Sequence, residues 1–160
     1  MMKPLLLFTD GSAHPASRIG FGAYLAIPDL TADFQAMKPR VQVKRFEETS
    51  STRLEIETLL WALRATQPRC VTVYTDSQNI IGLPDRREKI EKQGYCSKTG
   101  APLNHADLYR EFFRLIDSLE CAFVKVKGHR RSKERSPIDE LFGLVDRASR
   151  QALRTEPASQ

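Results

Sequence analysis

The chain has 160 residues, 41% of them hydrophobic, the size and apolar content of one ordinary domain with a single core. Lysine and arginine total 25 against 20 aspartates and glutamates, and the resulting net charge of +5 suits a polyanionic partner. Cys70, Cys96 and Cys121 stand far apart without a CxxC pair, which excludes a disulfide framework or a cysteine-based zinc site and favours a reducing compartment. No stretch approaches the roughly 18 apolar residues of a membrane span, and the apolar run after Lys3 is too short for a signal-peptide core, so a cytoplasmic protein is expected. Residues 1–154 read as one domain, and the polar end TEPASQ, 155–160, as a disordered tail.

In chain order, the apolar and β-branched runs Leu5–Thr9, Phe21–Ile27 and Val41–Phe46 predict three strands, the first buried on both faces and ending at Asp10-Gly11. Ile56, Leu59, Leu60 and Leu63 then recur at helical spacing, and Val71–Thr75 predicts a fourth strand. Asp85–His105 is the most polar internal stretch, with Gly94, Gly100 and Pro102 as turn formers, and reads as a protrusion outside the core. Leu108, Phe112, Leu115, Ile116 and Leu119 predict a helix, Ala122–Val126 a fifth strand, and Ile138, Leu141, Val145, Ala148 and Ala152 a last helix. The order predicts an α/β protein with a mixed sheet, antiparallel in its N-terminal half and joined by crossover helices later.

Four acids occupy particular places. The first and fourth strands end alike, in Thr-Asp-Gly-Ser and Thr-Asp-Ser; as parallel neighbours they bring Asp10 and Asp76 to one carboxyl edge, where ligand sites of open α/β sheets lie. Glu55 opens the helix before the fourth strand, and Asp146 lies in the last helix. Carboxylates that converge repel one another unless hard divalent cations hold them, and two-metal phosphoryl transfer is the chemistry that uses such a set. Each acid also has an ordinary structural use. Asp10 and Asp76 suit turns or helix caps, Thr52 and Glu55 have capping-box spacing, and Asp146 suits a solvent-facing helix flank.

Taken in order, FTDGS, STRLEIETLLWAL, VYTDSQ and VKVKGH…VDRASRQAL resemble the type I ribonuclease H family, over a span from Leu5 to about Arg154. The resemblance implies a ribonuclease H-like fold, a five-stranded mixed sheet flanked by helices. It also implies an endonuclease that hydrolyses the RNA strand of an RNA–DNA hybrid with two Mg²⁺ ions, or Mn²⁺ in their place. Asp10, Glu55 and Asp76 match the family's metal-ligand acids, and His129 matches its loop histidine, which assists proton transfer or product release. For the fourth ligand two acids are open, because Asp139 follows His129 by ten residues and Asp146 by seventeen. Ser136, Pro137 and Asp139 read as N-cap, first-turn proline and N3 acid, which gives Asp139 a capping task and favours Asp146.

Substrate contacts implied by the resemblance fall at Ser12, Ser50, Ser51, Thr52 and Gln78, hydroxyl and amide groups suited to phosphate and ribose. Six Lys/Arg between Lys125 and Arg135, among them Lys127, Arg130 and Arg131, add a basic track for phosphates. The chain departs from the family in its first loop, DGSAHPASRIGFG, which lacks the usual glycine-rich, asparagine-containing sequence. Its basic segment 85–105 is diluted by acids and has no tryptophan. Two other readings share the fold: a related nuclease acting on another nucleic acid, and a non-catalytic hybrid- or RNA-binding module. A monomer is the expected form.

Overall fold

β1 (Leu5–His14) sits at the centre of the sheet because its apolar residues alternate between two cores. The computed structural model describes residues 2–127 and 136–157. β1 pairs antiparallel with β2 (Ile19–Ile27), which pairs antiparallel with β3 (Gln42–Phe46); on its other side it runs parallel to β4 (Cys70–Thr75), and β4 parallel to β5 (Glu120–Lys125). The order β3-β2-β1-β4-β5 is the expected mixed sheet. On one face, Leu7, Val71 and Val73 pack under α2 (Ser51–Thr66), α3 (Gln78–Lys92) and α4 (Ala106–Asp117). On the other, Leu6, Phe8 and Tyr74 meet α5 (Pro137–Thr155), with the short helix α1 (Phe34–Met37) completing that core. The rings of Phe8 and Tyr74 stack at 4.6 Å between centroids. Among the described residues, no helix is long and apolar enough to cross a membrane.

Three expectations are corrected. β1 does not end at Thr9 but runs to His14, because β2 continues to pair with it through His14↔Ile19; only the parallel ladder to β4 stops, at Phe8↔Tyr74. The polar segment 85–105 is not a free protrusion, since α3 carries its first part through Lys92 with Ile90 buried, and Tyr95 and Leu103 pack against the core. Its Arg87 is bound to Asp117 of α4 at 2.6 and 2.8 Å and lies 4.9 Å from the Phe113 ring centroid. The domain end expected at residue 154 is passed by α5, which includes Thr155, and Glu156 accepts a 2.8 Å bond from Arg45.

Gly11, at the expected end of the first strand, lies inside β1, where a Cβ would stand 2.9 Å from Leu54 Cδ2 of α2. At Gly22 the approach is closer, since a Cβ would meet Thr58 Oγ1 at 2.2 Å and Thr58 Cβ at 2.9 Å. Missing side chains thus let α2 lie flat on β1 and β2. Gly22→Ala is expected to destabilise the protein by about 1–3 kcal/mol, the range of overpacking changes. Urea unfolding measures this, and an unchanged midpoint would show that α2 can move off the sheet without cost.

Candidate active site

The end of the β1–β4 parallel ladder leaves Asp10 and Asp76 at the same carboxyl edge. Asp76 is exposed between β4 and α3, and the cap of α3 is its neighbour Ser77, whose side chain accepts from the Ile80 amide at 3.1 Å. Glu55 comes in from the first turns of α2. It does not fold back in a capping box with Thr52, because the N-cap is Ser50, which accepts from the Arg53 amide. The Glu55 Oε2 accepts instead from Ser77 Oγ at 2.5 Å.

The two candidates for the fourth acid are separated by their partners. Asp139 closes a capping box with Ser136, accepting from the Ser136 amide at 3.0 Å while Ser136 Oγ accepts from the Asp139 amide at 3.3 Å. Asp146, two turns on, is hydrogen-bonded to Asp10 and pairs with Arg150 Nε at 2.9 Å. Ser149, fully buried, shares a 3.2 Å hydrogen bond with Ser12 of β1 and so fastens this stretch of α5 to the strand of Asp10.

The electrostatics follow from this crowding. Burial, the charge of Asp76 and the hydrogen bond to Asp146 push the Asp10 carboxyl up to about 8, with the Gly11 amide pulling weakly the other way. Burial and the Asp76 charge also raise Glu55, against the Ser77 hydrogen bond. Without a cation, Asp10 holds a proton at neutral pH.

An all-oxygen, all-acid donor set fits hard divalent ions such as Mg²⁺ or Mn²⁺. Their charge would offset the desolvation and repulsion that keep Asp10 protonated. Among the described residues, no three His, Cys, Asp or Glu side chains already stand at metal-holding distances from a common point. The acids are linked pairwise, Asp10 with Asp76 and Asp146, and Glu55 with Asp76, while Ser77 and Arg150 hold two of them. The residues fit the ions, with side-chain rotation required to close on them.

The other expected site residues are spread around these acids. Ser51 and Thr52 are exposed in the first turn of α2. Gln78 is exposed at the start of α3, where its Oε1 accepts from Lys125 Nζ at 2.5 Å. Lys127 is exposed just beyond β5, whereas His129, Arg130 and Arg131 lie outside the described residues. Ser12 has its hydroxyl engaged with Ser149. Sequence reasoning missed a polar cleft of about 540 Å³ lined by Arg18, Glu48, Ser50, Arg53, Asn104 and His105. It joins the β1–β2 turn, the start of α2 and the segment before α4. A hydrogen bond from the Thr49 amide to the Arg18 carbonyl, 2.9 Å, ties two of these together.

Comparison with known proteins agrees with this fold. A family profile described as RNase H matches residues 2–145. Relatives named Ribonuclease H include that of Moorella thermoacetica, 29% identical over 160 residues and 97% of each chain. That of Prosthecochloris aestuarii is 27% identical over 146 residues, 88% of this chain and 94% of its own. Among solved structures, a foamy viral protease-reverse transcriptase in complex with RNA/DNA hybrid superposes with a TM-score of 0.67 at 12% identity, over 93% of this chain and 20% of that one. The same viral protein in complex with dsDNA gives 0.63 at 12% identity, over 93% and 96% of the two chains. At that identity the likeness speaks for the fold alone. The profile, however, runs from the N-terminus through every strand and into α5, and on that match the chain belongs to the RNase H family.

Proposed function

We propose that the protein is a metal-dependent endoribonuclease that hydrolyses the RNA strand of RNA–DNA hybrids, acting as a monomer in the cytoplasm. The observation that carries this is the carboxyl edge itself, where the half-buried Asp10 is crowded by two further acids strongly enough to hold its proton at neutral pH. A group so placed gives up that proton when a cation arrives. Asp10, Glu55, Asp76 and Asp146 would hold two Mg²⁺ ions, or Mn²⁺, which would supply an acidified attacking water and charge neutralisation at the leaving oxygen.

The remaining work belongs to the chain. Ser50 and Arg53 at the N-terminal end of α2, with Arg18 across the cleft, offer hydroxyl and guanidinium donors and a helix terminus to a backbone phosphate. Gln78, Ser51 and Thr52 border the sugar edge of the hybrid, and Lys127, Arg130 and Arg131 add charge along its backbone. His129 assists proton transfer or product release, and the products carry 5′-phosphate and 3′-hydroxyl ends.

End-labelled RNA–DNA hybrid incubated with Mg²⁺ tests the reading, with single-stranded RNA and duplex DNA alongside. Cleavage confined to the hybrid is expected. Tight hybrid binding without cleavage in either Mg²⁺ or Mn²⁺ would replace the enzyme by a binding module.

A further inference from the structure

We infer that Ser77 is a positioning residue for the metal site: its hydroxyl holds the Glu55 carboxylate toward Asp76 and sets the affinity of the site for its cation. The inference rests on the functional reading above and adds to it a residue that the sequence pattern treats only as the one between an acid and a glutamine.

The geometry leaves the Ser77 hydroxyl little choice. Ser77 is 3% exposed, and its Oγ lone pair is used by the Ile80 amide at 3.1 Å, the N-cap bond of α3. Its backbone is held as well, with its amide donating to Thr75 Oγ1 at 3.1 Å and its carbonyl accepting from the Ile81 amide at 3.1 Å. The single hydroxyl proton is then directed at Glu55 Oε2, 2.5 Å away, a short bond of the charge-assisted kind. One side chain therefore ties the helix that carries Glu55 to the segment that carries Asp76.

The bond opposes a definite force. Glu55 is partly buried and faces the charge of Asp76, so a carboxylate released from Ser77 is favoured to swing away from its neighbour and toward water. Holding the ligand in place before the ion arrives avoids that reorganisation, and loss of such an outer partner commonly weakens metal binding about 10–100-fold.

Ser77→Gly is the informative variant, because glycine is a tolerated N-cap that differs from serine by only a few tenths of a kcal/mol. Ser77→Thr keeps both cap and donor. Mn²⁺ alone, titrated into each protein and followed by its electron paramagnetic resonance signal, reads the site without turnover. Melting curves confirm that each variant is folded. The expected result is Mn²⁺ binding weakened about tenfold or more in Ser77→Gly and restored in Ser77→Thr, with kcat on the hybrid lowered at fixed Mn²⁺ and KM for the hybrid unchanged. Wild-type Mn²⁺ affinity in a folded Ser77→Gly protein would overturn the inference and leave Ser77 a helix cap. If the wild type itself neither binds Mn²⁺ nor cleaves hybrid, the functional reading falls and this one falls with it.

Discussion

Asp10→Asn is expected to abolish hybrid cleavage while making the metal-free protein more stable at neutral and alkaline pH. Activity should drop about a thousandfold or more, since a lost metal ligand removes several kcal/mol of transition-state stabilisation. The stability change has the opposite sign. In the unfolded chain Asp10 titrates near 3.8, and in the folded chain near 8. Between those values the unfolded state has released a proton that the folded state still holds, so stability is full below about pH 4 and is lost progressively as pH rises to about 8. A shift of this kind is worth on the order of a few kcal/mol. Asparagine keeps the shape and carries no charge to repel, so the slope should flatten. Melting of the metal-free proteins between pH 5 and 9 tests this, with Mg²⁺ expected to restore the wild type alone. A wild-type melting temperature that does not fall over that range would mean that Asp10 is less crowded than its neighbours imply.

The second large effect separates Asp146 from Asp139. Asp146→Asn should lower kcat about a hundredfold or more, with little loss of stability, because its partners are Asp10 and a half-exposed Arg150. Asp139→Asn should do the reverse, leaving turnover near the wild-type value while weakening the capping box of α5 by up to about 1 kcal/mol. Single-turnover cleavage and urea unfolding of both variants decide the matter. Loss of activity in Asp139→Asn with a normal Asp146→Asn would exchange the two assignments.

Much of this was legible from side-chain pattern. The run Leu5–Phe8 is apolar at every position, and a strand with two buried faces belongs at the centre of a sheet, where β1 stands. The Thr-Asp that follows both apolar runs anticipated a shared edge, and the Ser136-Pro137-Asp139 cap gave Asp139 a local task that the structure bears out. The misreadings have physical causes. Asp-Gly is turn chemistry in isolation, but Gly11 is small because Leu54 lies above it, a contact 43 positions away that no local pattern reports. Segment 85–105 is polar by count, yet Ile90 and the Arg87–Asp117 pair fasten it to the core and to α4. The cleft between Arg18, Ser50 and His105 is assembled from three distant pieces of chain, so nothing in any one of them marked it.

The flat seating of α2 on the sheet has a consequence for how this sequence can vary. Glu55 keeps its height above the strands only while Gly11 and Gly22 lack a methyl group beneath Leu54 and Thr58. Selection for hydrolysis therefore reaches positions whose residues carry no side-chain chemistry of their own. Two of the smallest residues in the sheet are constrained alongside the acids, for a reason of distance and not of charge.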